Sequence, residues 1–252
     1  MNDFLNATIL ITGAASGIGA AAAARLAAGG AKKLILVDRD EDRLRDFASS
    51  LPCEQRVIAG DVADEQLWAG ADLTGLTHAL VNAGIAASGP IAETPLAEWR
   101  RVMSVNLDGA FLTLQASMRA LLRGGRGGAV VLTASVAGVK AEPGIAAYAA
   151  SKAAVIQLAR VAAKEGAPSR IRVNAIAPGG VETRIWTEVP MFKEMAEKMG
   201  EASAYKAMAS AATPLGRFAK PGEIAEQIAF LLSEHTGFVT GTCLVSDGGY
   251  SL

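Results

Sequence analysis

Tyr148 and Lys152 are four residues apart in the run Tyr148-Ala149-Ala150-Ser151-Lys152, a spacing that stacks two side chains on one helix face. A phenol beside an ammonium is an acid–base pair. The positive charge favours phenolate, and a phenolate can take the proton of an alcohol. The Tyr-x-x-x-Lys pattern also arises often by chance, as an exposed helix pair, so its meaning depends on what accompanies it. Ser135 lies 13 residues earlier, closing an apolar run. Its hydroxyl could hydrogen-bond a reacting oxygen and steady the charge developing there.

A second group of residues points to phosphate. Thr12-Gly13-Ala14-Ala15-Ser16-Gly17-Ile18-Gly19 follows the first apolar run and opens a helical stretch. Glycines there let backbone N–H groups and a helix N-terminus approach a pyrophosphate. The spacing is Gly-x-x-x-Gly-x-Gly rather than the tighter dinucleotide fingerprint, and a simple turn packing helix on sheet would use the same residues. Asp38, 19 residues after Gly19, ends the second apolar run. A carboxylate at that strand end can accept both hydroxyls of an adenosine ribose and repel a 2′-phosphate, although the Asp38-Arg39-Asp40 run also suits a surface turn. Arg39 could favour a phosphorylated ribose, but residues 14 to 16 of the glycine loop are Ala, Ala and Ser, none of them basic. NAD is therefore expected over NADP.

These residues need a frame. Short apolar runs at Thr8–Ile11, Leu34–Val37, Arg56–Ala59, Ala79–Asn82, Ala129–Thr133, Arg172–Ala177 and Cys243–Ser246 alternate with helix-like stretches. The latter are Gly17–Ala28, Glu41–Ser50, Asp64–Gly70, Leu96–Arg123, Ala147–Glu165 and Pro221–Ser233. Strands separated by helices imply βαβ crossovers, and uniformly apolar strands imply cover on both faces. The expected fold is α/β: one doubly wound Rossmann-type domain over 1–252, with a parallel seven-stranded sheet and helices on both faces. Of the 252 residues 51% are hydrophobic and 19% charged, enough apolar material for a large core and too much for disorder. The net charge is −1 and the basic residues are scattered, so no nucleic-acid footprint appears. No apolar stretch reaches the ~18 residues of a membrane span. Two distant cysteines, Cys53 and Cys243, suggest neither a disulfide framework nor a metal cluster. With no basic leader at the N-terminus, the expected location is cytoplasmic.

Taken with Val81-Asn82-Ala83-Gly84 after the fourth strand, Asn106 in the long helix and Pro178-Gly179 after the sixth, the motifs resemble the short-chain dehydrogenase/reductase family. The resemblance covers essentially the whole chain, and the combination is far more specific than any part. It implies a catalytic set of Asn106, Ser135, Tyr148 and Lys152, in which Asn106 holds a water linking Lys152 to solvent. From the residues alone Asn106 could equally be a core amide that kinks its helix. The resemblance also implies cofactor contacts. Gly13, Ser16, Gly17, Ile18 and Gly19 would meet the phosphates and ribose, and Asp38 the adenosine ribose. Asp61 with the Val62 backbone would meet the adenine, and Asn82 and Gly84 would lie beneath the ribose. Tyr148 and Lys152 would also reach the cofactor, and Pro178, Gly179, Val181 and Thr183 would frame the nicotinamide. A homotetramer is implied too, consistent with apolar residues on more than one face of the two long helices.

Two departures from the family stand out. Val81 replaces the first of a usual Asn pair, which questions the strand-loop hydrogen bonding. Only 20 residues separate Asp61 from Asn82, so the helix between them must be short. Around the substrate, Ile85, Ala86, Val136, Ala137, Ile145 and Trp186 are apolar, and Glu142, six residues before Tyr148, is the exception. Ser135, Glu142 and Trp186 are the candidate substrate contacts, with Glu142 either meeting a second hydroxyl or amine or pointing to solvent beside Lys140. Met191, Met195, Met199 and Phe192 have helical spacing, within a substrate lid around 184–215 or a plain packed helix. His78 and His235 are too few and too far apart for a zinc site, and no metal is expected. The expected substrate is a small, mainly apolar secondary alcohol or ketone. Alternatives are a 3-oxoacyl-thioester (acyl carrier protein) reductase and a non-catalytic NAD-binding sensor or scaffold.

Overall fold

A computed structural model of the chain describes residues 3–252. The elements in chain order are β1 (Thr8–Thr12), α1 (Gly17–Ala28), β2 (Lys33–Asp38), α2 (Glu41–Ser49), β3 (Glu54–Ala59), α3 (Glu65–Gly70) and β4 (His78–Val81). There follow α4 (Leu96–Met103), α5 (Gly109–Gly124), β5 (Gly128–Thr133), α6 (Ala146–Gly166), β6 (Ile171–Pro178), α7 (Pro190–Met199), α8 (Glu201–Ala212), α9 (Pro221–Leu232) and β7 (Cys243–Ser246).

The seven strands form one parallel sheet in the order β3-β2-β1-β4-β5-β6-β7. Successive side chains leave a strand on opposite faces, and both faces are covered. Ile9, Ile11, Leu34 and Leu36 point to a core shared with α1 and α9. Leu10, Ile35 and Val37 point to a second core shared with α5 and α6. Double burial explains why β1 and β2 carry no polar alternation. The order reverses between β1 and β4, and a crevice opens at their carboxyl ends, where doubly wound sheets bind ligands.

Several sequence boundaries shift. The stretch expected as one helix over Leu96–Arg123 is α4 and α5 joined by a π turn at Ser104–Asp108, with buried Asn106 inside it. The strand expected to end at Asn82 ends at Val81, which is buried in the core. Ser135 lies just past β5, where its side chain accepts the Ala137 N–H and caps a short 3-10 turn. The short helix foreseen between Asp61 and Asn82 is α3, six residues long. The region around 184–215 forms α7 and α8, pinned by a cluster of Phe192, Tyr205 and Phe218 with Trp186 against it. Phe192 is buried while Met191 and Met199 are exposed.

Candidate active site

The glycine loop is built by conformations that only glycine adopts freely. Gly13 and Gly17 have φ of 66° and 55°. A Cβ on Gly19 would collide with the Gly13 carbonyl oxygen, so this glycine lets α1 lie close under the loop. Ser16 stands at the N-cap of α1 without a side-chain capping bond. Asp38, at the end of β2, is fixed against the same loop: Oδ2 accepts the Ala15 N–H at 3.0 Å and Oδ1 the Asp40 N–H at 3.1 Å. Each carboxylate oxygen keeps acceptor capacity for a ligand hydroxyl.

The loop after β4 is tied across to β1. Thr12 Oγ1 accepts the N–H groups of Asn82 and Ala83 at 2.9 and 3.1 Å, and Asn82 Nδ2 donates to the Thr12 carbonyl at 3.0 Å. With Val81 buried in the core, Thr12 and Asn82 supply the hydrogen bonds that join this loop to β1. Thr12 was not marked out in the sequence, where its only signal is its place between β1 and the glycines.

Asn106 reaches the same loop from the π turn. Its Oδ1 accepts the Ile85 N–H at 2.8 Å, and its Nδ2 donates to the Ile85 carbonyl at 3.0 Å and to Ser151 Oγ at 3.1 Å. Its side chain is buried and fully engaged within the protein. A Cβ on Gly84 would stand 3.2 Å from Lys152 Nζ and 3.3 Å from Asn106 Oδ1, which brings Gly84, Asn106 and Lys152 together.

Lys152 is buried in α6 and donates to the Thr133 carbonyl at 2.9 Å, with Nζ 5.8 Å from the Tyr148 ring centre. Burial pushes its ammonium down to about 8. Burial also raises the Tyr148 phenol, and hydrogen bonding to the Ser135 hydroxyl pulls the other way. Without a bound cofactor, desolvation of the phenolate is the larger of the two influences.

These groups face one cavity of about 1780 Å³, larger than the ~300–1,000 Å³ of ordinary small-molecule sites and roomy enough for a dinucleotide and a substrate together. Of the residues expected to bind, Gly13, Ser16, Gly17, Ile18, Asp38, Asp61, Val62, Asn82 and Gly84 line it. So do Ser135, Glu142, Tyr148, Lys152, Pro178, Gly179, Val181, Thr183 and Trp186. Gly19 and Asn106 stand behind the wall and shape it. Asp61 Oδ1 accepts the Ala63 N–H at 2.9 Å, and the Val62 carbonyl accepts the Trp68 indole at 2.8 Å, leaving Val62 its N–H as a backbone contact. Thr183 lies across the glycine loop, its Cγ2 at 3.3 Å from where a Gly17 Cβ would be. Trp186 donates its indole N–H to the Val181 carbonyl at 2.8 Å and stacks on Phe218. It therefore offers the cavity an apolar wall, not a donor. Glu142 lines the cavity, and its carboxylate lies 3.6 Å from Lys140 Nζ. Thr133 and Tyr250 also line the cavity and had no motif to mark them.

His78 begins β4 and is packed edge-on against Phe4, where burial holds its imidazole down to about 4 and hence neutral. His235 pairs with Asp3 at 3.5 Å. Among the described residues no group of His, Cys, Asp and Glu could hold a metal ion, and no helix is long and apolar enough to cross a membrane.

The sequence matches a family model described as Enoyl-(Acyl carrier protein) reductase, adh_short_C2, over residues 13–251. It is 36% identical to the 2,5-dichloro-2,5-cyclohexadiene-1,4-diol dehydrogenase of Sphingobium indicum, with 100% of this chain and 99% of that protein covered. It is 40% identical to the galactitol 2-dehydrogenase (L-tagatose-forming) of Cereibacter sphaeroides, covering 96% and 94%. Among solved structures, a short-chain type dehydrogenase/reductase from Mycobacterium marinum superposes with a TM-score of 0.88 at 32% identity, covering 99% and 97%. The chain belongs to the short-chain dehydrogenase/reductase family, and it is an oxidoreductase that interconverts secondary alcohols and ketones with a nicotinamide cofactor.

Proposed function

We propose that the cofactor is NAD and that the substrate is a small, mainly apolar secondary alcohol or its ketone. The observation that carries this reading is the single cavity with Asp38 and the glycine loop at one end and Ser135, Tyr148 and Lys152 at the other. The cradle fits a dinucleotide: the loop is clear of side chains, α1 presents its N-terminus, and Asp38 stands where a ribose would lie. Ser16 and Ile18 hold the phosphates and ribose, Asp61 and Val62 the adenine, Asn82 and Gly84 the second ribose. Pro178, Gly179, Val181 and Thr183 frame the nicotinamide, which when bound accepts or donates the hydride.

Within that frame, Tyr148 holds the proton that the substrate oxygen gives up or takes. Because burial raises the phenol, its ionisation calls for two nearby positive charges, that of Lys152 and that of an oxidised nicotinamide. Ser135 hydrogen-bonds the substrate oxygen as charge develops on it. Lys152 also contacts the cofactor ribose. Asn106 spends its amide on Ile85 and Ser151, which fixes the loop after β4 against the helix that carries Lys152. Incubating the protein with NAD and a panel of cyclic and acyclic secondary alcohols should yield NADH and ketone. A tightly bound NAD with no NADH formed from any of them would favour the sensor reading.

The same reading includes a cytoplasmic location and a homotetramer. Phe111 and Leu122 on α5 and Val161 on α6 are exposed on one side of the sheet, and Phe230 of α9, Phe238 and Val245 of β7 are exposed near one sheet edge. Exposed apolar side chains in two regions of the surface suit the interfaces of a D₂ tetramer. Light scattering should give about four chain masses, and the mass of one chain at micromolar concentration would overturn the tetramer.

A further inference from the structure

The C-terminal turn is built into the cavity wall. After β7, Asp247 Oδ1 accepts the Gly249 N–H at 2.9 Å and Oδ2 the Ser251 N–H at 2.8 Å. Gly248 and Gly249 have φ of 63° and 89°, and a Cβ on either would press on Thr213 or Pro214 at the end of α8. The Gly248 carbonyl accepts the Leu215 N–H at 3.1 Å, and the Gly179 N–H donates to the Ser246 carbonyl at 2.9 Å. The turn is thus locked between the nicotinamide frame and the end of the helical region over the substrate. What it delivers to the cavity is Tyr250.

Tyr250 meets the segment between Ser135 and Tyr148. Lys140 Nζ donates to the Tyr250 carbonyl at 2.8 Å, lies 4.0 Å from the Tyr250 ring centre and is 3.6 Å from Glu142 Oε1. Burial, and then the Glu142 carboxylate, push the Tyr250 phenol up to about 12, so it stays a neutral donor and acceptor. The Lys140 and Glu142 side chains are 37% and 33% exposed, so the group is neither a sealed core pair nor a free surface pair. Its charges cancel, so it has no net pull on an ion.

Much of the substrate end is apolar, with Ile85, Val136, Ile145, Met195 and Met208 in its lining. A hydroxyl entering there loses its water and finds a partner only where a polar group stands. We propose that Glu142 and Tyr250, with Lys140 as counter-ion, form a second polar anchor, and that the substrate is a neutral diol or hydroxyketone. One oxygen lies at Ser135 and Tyr148, and the other enters between Glu142 and Tyr250, donating to the carboxylate and taking the Tyr250 O–H in its place. This rests on the dehydrogenase reading above and adds the substrate class to it.

The test is the ratio of kcat/KM for cyclohexane-1,2-, 1,3- and 1,4-diols to kcat/KM for cyclohexanol, in the parent, Tyr250→Phe and Glu142→Gln. The parent should prefer at least one diol. Glu142→Gln should lower that diol-to-cyclohexanol ratio by about ten- to hundredfold, the worth of a hydrogen bond to a charged group, and Tyr250→Phe by about two- to tenfold, that of a neutral one. A latch that merely holds the C-terminus would lower the melting temperature and slow all substrates alike, leaving the ratio unchanged. An unchanged ratio in both variants, or a parent that prefers cyclohexanol to every diol, overturns the anchor while the dehydrogenase reading stands. If no alcohol is oxidised with either cofactor, the dehydrogenase reading falls and the anchor with it. Tyr250→Phe keeps the ring under Lys140, and Glu142→Gln is an independent route should one variant not fold.

Discussion

Tyr148→Phe should lose about 10²–10⁴-fold in kcat, the usual share of a general acid–base group, while NADH binding stays near that of the parent. The ring is half-buried and packs without its hydroxyl, and only the hydroxyl exchanges a proton with the substrate. The parent's pH profile carries a sign as well. Burial raises the phenol above its ordinary range, so phenolate is scarce at neutral pH, and alcohol oxidation should quicken as pH rises. Ketone reduction uses the protonated phenol and should not gain in that direction. Steady-state kinetics with NADH titration by fluorescence checks both parts. A variant retaining more than about a tenth of parental kcat would mean that another group moves the proton.

NAD should exceed NADP in kcat/KM by about 100-fold or more, because a like-charge contact between a carboxylate and a phosphate costs several kcal/mol. Asp38 cannot easily turn away from such a clash. Its two oxygens are tied to the Ala15 and Asp40 N–H groups, and this holds the carboxylate at the end of β2. Asp38→Ala should narrow the gap chiefly by weakening NAD, since the ribose loses its acceptor and the loop loses a tether. Arg39 and Arg43, which line the same end of the cavity, would then lie near a 2′-phosphate without the opposing charge. Equal efficiency with the two cofactors in the parent would contradict the role given to Asp38.

Much of this site was legible because its chemistry demands particular residue types at strand ends. Gly13 and Gly17 need positive φ, Asp38 must be a carboxylate, and Tyr148 and Lys152 must share a helix face; each need leaves a mark in one short segment. The apolar strands were legible for a similar reason, since cover on both faces removes all alternation from β1 and β2. What stayed hidden depends on contacts between distant segments. The π turn around Asn106 leaves the apolar pattern of α4 and α5 intact, so one continuous helix was the natural reading. Helical spacing of Met191, Met195 and Met199 showed a helix without showing that Phe192 would be its buried side. Tyr250 meets Lys140 across 110 residues, and nothing near either position announces it. Glu142 left two readings open because its surroundings, Lys140 on one side and Tyr250 on the other, exist only in the folded chain.

Hydride transfer is tested most directly by supplying NAD with a secondary alcohol deuterated at its carbinol carbon, then following the label by mass spectrometry. The expected result is ketone and deuterated NADH in equal amounts with the parent, and almost none of either with Tyr148→Phe. Bound NAD that gains no deuterium from any alcohol of the panel would contradict the dehydrogenase reading itself.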